Sequence, residues 1–338
     1  MSILLRGLSI KDHNELSTST SIEQEINLEA LADAEKAAAE LLNICSFLVR
    51  WNGFVISENY YAGTTAATPH HGRSITKSVV SALVGIAIDK GIIGGVNDKV
   101  LDYIPEFKSQ DNDDRKNQIT IRHLLTMTSG FKWKEEEMDE WFSSDSLAAI
   151  SDSWGRPLAG NPGEIYNYDS ASADLLTVIL TRAAKQEAKT FAIETLFAPL
   201  HITEFDWEKD PAGYYRGSTG LIMRAPDLAK IGQLYLQQGQ WNSRQIVSQE
   251  WIEQSVAQQV RVNEVVSYGY LWRSRQVGSI RHYYGMGYGG QYLMVVPSLK
   301  MVVVANYEWR VSHEEANRQK YGFTDRVFDP LVEACQKN

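Results

Sequence analysis

Apolar and polar positions along this chain fall into blocks whose period changes twice. Residues 1–27 are polar, rich in Ser, Thr and Glu, and read as a flexible N-terminal arm. Leu28–Leu42 (LEALADAEKAAAELL) is dominated by strong helix formers, with Leu28, Leu31, Ala38 and Leu42 on or near one face. Cys45–Trp51 and Phe54–Tyr61 are strand-like runs joined by Asn52-Gly53, the strongest short hairpin signal. Ser74–Lys90 has a helical pattern that is apolar nearly all round and is closed by Gly91. A helix without a polar face must be buried on every side.

From about residue 100 to 262 the signals are mostly helical, clearest over Asp174–Lys185 and Asp227–Gln238, with Pro- and Gly-marked loops between them. The period then shortens. Val265–Trp272, Tyr292–Val296 and Met301–Asn306 read as strands, Gly285–Gly290 and Pro297-Ser298 as turns, and Asp325–Cys335 as a last helix. This order predicts an α+β fold. An antiparallel sheet flanked by helices is drawn from residues 28–95 and 263–338, and a mostly helical lobe, 96–262, is inserted between them. A ligand is expected between the two lobes.

Composition narrows the function classes. The 338 residues are 43% hydrophobic and 22% charged, enough to bury a sizeable core. A net charge of −9 provides no basic field for nucleic acid or acidic lipid. The longest apolar run, Val79–Ile88, is too short for a bilayer, and the opening residues carry no export signal, so a cytoplasmic protein is expected. Cys45 and Cys335 stand alone and are expected to be free thiols. Neither a metal-binding spacing nor a Gly-x-Ser-x-Gly elbow is present, and no cofactor is implied.

Candidate chemistry is concentrated in Gly72-Arg73-Ser74-Ile75-Thr76-Lys77-Ser78. A serine opening a helix, with lysine three residues on, places both side chains on one face. The amine can take the hydroxyl proton if burial and local positive potential lower its basicity. The helix start adds N–H groups where an oxyanion would form. Ser129-Gly130-Phe131-Lys132 repeats the spacing, but glycine after its serine suits a turn.

The run Ser74–Gly85, followed by Ile104-Pro105-Glu106-Phe107, resembles the nucleophile region of serine β-lactamase-related, penicillin-recognising hydrolases. Ile121–Phe131 is similar to the Leu-Leu-x-x-Thr-Ser-Gly signature of that superfamily, and Tyr166–Leu176 to its tyrosine-bearing element. Tyr168-x-Ser170 resembles the branch of 6-aminohexanoate-dimer hydrolases and related esterases, where β-lactamases carry Tyr-x-Asn. Gly220–Ala229 fits as well, and Gly287–Tyr292 stands where β-lactamases have Lys-Thr-Gly. The resemblance runs from about residue 45 to 310.

It implies an acyl-transfer hydrolase acting on a small ester or amide, with Ser74 as nucleophile, Lys77 as base and Tyr168 as a second proton shuttle. Ser170 would bond Lys77 or cap a helix. The second oxyanion N–H would come from Tyr288 or Gly289. Loss of the Lys-Thr-Gly cation argues against efficient β-lactamase action. The alternatives are a D-amino-acid peptidase, a weak β-lactamase and a non-catalytic binding protein on the same fold. His70 and His71, just before Ser74, read as exposed loop residues or as part of the lining of the site. Trp133, Trp141, Tyr214, Tyr215, Tyr288 and Tyr292 are divided between an apolar pocket and the core.

Overall fold

A computed structural model of the protein describes residues 27–108, 113–135 and 154–336; the N-terminal arm and Trp141 lie outside the described residues. Helix α1 (Leu28–Ala39) leads into the hairpin β1 (Ile44–Trp51) and β2 (Phe54–Tyr60). Asn52 and Gly53 both have positive φ, 48° and 88°, as the turn signal requires. Strand β3 (Pro69–His71) precedes helix α2 (Ile75–Asp89). Helices α3 (Ile121–Leu125), α4 (Ser170–Ala184) and α5 (Ala188–Ala192) follow. Then come β4 (Phe205–Trp207), β5 (Leu221–Arg224), α6 (Ala225–Leu236), the short β6 (Gln240–Trp241) and β7 (Arg244–Gln245), and α7 (Gln249–Val256). The remainder is β8 (Val260–Arg261), β9 (Ser267–Tyr268), β10 (Arg273–Val277), β11 (Ile280–Gly287), β12 (Gln291–Val296), β13 (Met301–Tyr307), α8 (His313–Phe323) and α9 (Asp329–Gln336).

The main sheet has eight strands in the order β2-β1-β13-β12-β11-β10-β9-β8, with every neighbour antiparallel. The early hairpin therefore joins the late strands, as the α+β expectation requires. Strands β1, β12 and β13 are mostly apolar and buried along almost their whole length, because both of their faces are covered. Phe47, Met294 and Val303 pack with α1, α8 and α9; Leu48, Leu293 and Val302 face the core shared with α2 and α6. A second sheet, β3-β5-β4, ties the segment ahead of α2 to the helical region. Helix α2 is buried from Ile75 through Ala87, as its unbroken apolar pattern demands.

Several expectations need correction. Leu28 and Leu42 are 53% and 70% exposed; α1 stops at Ala39 and buries Ala30, Leu31, Ala34 and Ala38 instead. Only Ser267–Tyr268 of Val265–Trp272 is strand. Strand β11 runs through Gly285 to Gly287, where the glycines suggest a turn. Its neighbour β10 (RSRQV) carries too many polar residues to show a period, and α8 (HEEANRQKYGF) buries only Ala316, Gln319 and Phe323. His70 and His71 are buried, because β3 is covered on pairing with β5. Cys45 and Cys335 are free thiols, the first buried and the second half-buried. Among the described residues, no helix is long and apolar enough to cross a membrane.

One buried group on β11 gives the fold an acid sensitivity. His282 is fully buried against Phe328, at 4.8 Å between ring centroids, and neither ring nitrogen has a hydrogen-bond partner. Burial, reinforced by the nearby Arg275, pushes its pKa from 6.5 down to about 3. Between those limits the unfolded chain takes up a proton that the folded chain refuses, so this contribution to stability is lost as pH falls. Urea unfolding of His282→Phe from pH 7 to pH 4 should show a shallower loss of stability than the parent. Parallel pH curves for the two proteins would show that this imidazole is not the source of the acid sensitivity.

Candidate active site

Ser74 stands at the N-terminus of α2, after a tight turn in which Arg73 has φ +49°. Two contacts hold that turn. Gly72 N–H donates to the Leu221 carbonyl at 2.9 Å, and Arg73 N–H donates to His71 Nδ1 at 3.0 Å. With Nδ1 accepting, the His71 ring proton sits on Nε2, 3.4 Å from Glu208 Oε2. The turn before Ser74 is thus braced by a histidine–carboxylate pair.

The turn also lies directly on β11. A Cβ at Gly287 would come within 2.4 Å of the Gly72 carbonyl oxygen, and one at Gly285 within 2.9 Å of Ser78 Oγ. These two glycines admit the turn before α2 and the start of that helix. Gly289 has φ +78° and would meet Trp309 Cα at 2.9 Å, so its lack of a side chain serves chain packing.

Lys77 is 1% exposed, and its amine lies 2.9 Å from Ser74 Oγ, 3.0 Å from Ser170 Oγ and 2.9 Å from the Ser218 carbonyl. The hydroxyl of Ser170 donates onward to Glu135 Oε1 at 2.6 Å, so Ser170 can only accept from the lysine. The Ser218 carbonyl is likewise an acceptor. Two of the amine's three contacts are thereby to acceptors, and the third is to the Ser74 hydroxyl. That arrangement is suited to taking the Ser74 proton.

Helix α4 supplies the second half of the site. Its N-cap is Asp169, between Tyr168 and Ser170, and its Oδ1 accepts from Ala171 and Ser172 N–H at 3.0 and 3.3 Å. Asp169 also accepts from Ser172 Oγ and pairs with Arg156 at 3.3 Å. Capping thus falls to Asp169, and Ser170 takes the Lys77 contact. Tyr168 is half-buried, with Lys77 Nζ 4.8 Å and the Arg273 guanidinium 4.6 Å from its ring centroid. Burial alone would raise its phenol pKa. The two cations and a hydrogen bond with Ser74 outweigh that effect and bring it below the ordinary value of 10.0.

Ser74, Tyr168, Tyr288 and Gly289 line one cavity of about 710 Å³, together with Glu135, Arg273 and Trp309. Tyr288 is fixed through its hydroxyl, which donates to the Val311 carbonyl at 2.9 Å. Of the other aromatics, Tyr292 is in the core behind the sheet and Tyr215 packs on Trp207. Trp133 meets the site indirectly, donating from Nε1 to Glu135 Oε2 at 2.6 Å. Glu135, Asp174, Ser218 and Arg273 carry no local sequence signal. Asp174 is buried and accepts Ser218 N–H at 2.7 Å; burial raises its carboxyl pKa, against the opposing effect of that bond.

Comparison with known proteins places the chain in a family. Residues 45–322 match the Beta-lactamase family, to which this chain belongs. It is 26% identical to the 6-aminohexanoate-dimer hydrolase of Paenarthrobacter ureafaciens over 86% of this chain and 80% of that protein. Among solved structures, the hydrolase EstCE1, described as having promiscuous acyltransferase activity, superposes with a TM-score of 0.71 at 17% identity, covering 91% of this chain and 100% of that one. A D-stereospecific amidohydrolase from Streptomyces gives 0.64 at 13% identity, over 86% and 98% of the two chains.

The Asp169–Arg156 pair is the support most open to test. Asp169→Asn keeps a capping side chain and removes the charge that balances Arg156. Stability should fall by about 2 kcal/mol in urea unfolding. Adding Arg156→Met should recover part of the loss. An unchanged midpoint in the single variant would show that the pair does not hold the start of α4.

Proposed function

We propose that this chain is a serine hydrolase that cleaves a carboxylic ester or linear amide through an acyl-enzyme on Ser74. The observation that carries this reading is the set of contacts around Lys77, in which two acceptors are engaged elsewhere and the third neighbour is the Ser74 hydroxyl. Ser74 Oγ attacks the carbonyl carbon as its proton passes to Lys77. The new carbon–oxygen bond leaves a negative charge on the carbonyl oxygen, which the N–H groups of Ser74 and of Tyr288 or Gly289 would hold.

Collapse of that intermediate breaks the bond to the leaving group, which receives a proton through Tyr168. A phenol made more acidic than usual by Lys77 and Arg273 is a competent donor for this step. Water then adds to the acyl-enzyme by the reverse proton path, releasing the acid and restoring Ser74. The reading needs no cofactor. Relatives described as an amidohydrolase and as a hydrolase with acyltransferase activity favour acyl transfer as the shared reaction class. The absence of a lysine from Gly287–Tyr292, where β-lactamases have Lys-Thr-Gly, argues against a β-lactam as the main substrate.

A series of p-nitrophenyl esters from acetate to octanoate, with matched anilides, tests the proposal. Ser74→Ala should lower kcat/KM by at least about a hundredfold on whichever series the parent cleaves. Mass spectrometry of the parent should find the acyl group on the peptide containing Ser74. Equal, near-background rates for both proteins on esters and anilides would leave a binding protein as the better account.

A further inference from the structure

The strained step of the chain comes immediately before Ser74. Arg73 has φ +49°, in a region where a residue with a Cβ crowds its own backbone, and such a conformation persists only where the surroundings hold it. Both polar groups of the Arg73 backbone are held. Its carbonyl accepts from the Thr76 hydroxyl at 2.8 Å, and that hydroxyl accepts in turn from Leu221 N–H at 3.2 Å. Its N–H donates to His71 Nδ1 at 3.0 Å. A neutral imidazole has one donor and one acceptor nitrogen, so Nδ1 can accept only while the proton is on Nε2. Glu208 Oε2, 3.4 Å from Nε2, selects that tautomer, and this contact is the main cause that draws the Glu208 carboxyl pKa below its ordinary value. Glu208 is tied down as well, since its N–H donates to the Gly220 carbonyl at 3.0 Å, one residue ahead of β5.

The His71 ring has a second neighbour. Its centroid is 5.2 Å from that of Trp309, over which the Arg73 guanidinium also lies, at 4.3 Å. Trp309 lines the cavity with Tyr288 and Gly289, and its Cα is the atom that a Cβ on Gly289 would meet at 2.9 Å. His71 therefore bears on two supports of the site: the turn that presents Ser74, and the segment against which the Tyr288–Gly289 turn rests. The ring itself is buried behind Arg73, Ser74 and Trp309, which form the cavity wall.

Resting on the hydrolase reading above, we propose that His71 is a positioning residue for the reaction. In its neutral form, with the proton on Nε2, it holds the turn that aims the Ser74 hydroxyl and N–H at the substrate carbonyl. The ring acts through the Arg73 peptide and does not touch the substrate. Its loss is therefore felt in the rate at which bound substrate reacts, and not in binding. What the role requires is one acceptor atom at one place. The Oδ1 of an asparagine stands as far along the side chain as Nδ1 does and can take the Arg73 N–H. A glutamine amide reaches instead to the position of Nε2, beside Glu208.

The test measures kcat, KM and the urea midpoint of the full chain and of His71→Asn, His71→Gln and His71→Leu, on the p-nitrophenyl ester or anilide that the parent cleaves fastest. His71→Gln and His71→Leu should lower kcat by about tenfold or more, with KM within about threefold of the parent. His71→Asn should keep kcat within about threefold of the parent. A role confined to packing, or to the Glu208 contact, gives the reverse order, because glutamine retains more of the volume and the reach to the carboxylate. Glu208→Met leaves β3 intact and should lower kcat by about threefold. It decides the matter if the His71 variants do not fold, and an unchanged kcat in it then overturns the proposal. Equal kcat in all the folded variants, a loss carried by KM, or a loss in His71→Asn as deep as in His71→Leu also overturns it. Those outcomes leave the hydrolase reading intact as long as Ser74→Ala abolishes turnover by the parent. A parent without Ser74-dependent turnover removes both.

Discussion

An ammonium group taken out of water must find acceptors, and Lys77 projects from a helix that offers none of its own. The side chain is 1% exposed on a helix buried from Ile75 through Ala87. The surrounding structure can be read as the set of partners this group needs. Ser170 comes from the start of α4 and is held by Glu135; the Ser218 carbonyl comes from the loop before β5 and is held through Asp174. Each acceptor thus has its own anchor, and each anchor is distant in sequence. What places the amine against Ser74 is the fit among three separate segments of chain. The third neighbour of the amine is the Ser74 hydroxyl, at 2.9 Å.

The same helix has a steric requirement on its other sides. It touches β11 only because Gly285 and Gly287 have no side chains, and Gly85 is pressed against Trp251, whose indole a Cβ there would meet at 2.4 Å. Packing of this closeness leaves little freedom for Ser74 to shift. The turn preceding Ser74 is fixed by a left-handed Arg73 and by the His71 ring beneath it. Local strain and long-range packing are therefore spent at one place, where the chemistry is expected.

The parts legible in the sequence are those whose signal is local. Ser74 and Lys77 are one helical turn apart, Tyr168 and Ser170 are two residues apart, and Asn52-Gly53 dictates its own turn. The sheet strands β12 and β13 are continuous apolar runs and announce themselves. The strand β10 and the helix α8 do not, because each is half wetted or ion-paired and shows neither period cleanly. Glu135, Asp174 and Arg273 were invisible for a different reason. A carboxylate or guanidinium in the sequence is by default a surface group, and only the folded chain shows which ones face a cavity. His70 and His71 were misplaced on similar grounds, since nothing local reveals that β3 acquires β5 as a partner 150 or so residues later.

The pairing of β1 with β13 has a consequence in time. Ile44 is matched with Tyr307 and Trp51 with Met301, so β1 waits for β13, the last strand among the described residues. On the ribosome, the β1–β2 hairpin emerges first and keeps one apolar edge open while some 250 residues follow it. Closing so long a loop is slow compared with local helix formation. Ser74 and Lys77 are therefore translated early but meet their lining of β11 and the Trp309 loop only near the end. Until β13 is made, the open edge of β1 is a surface on which another strand can pair.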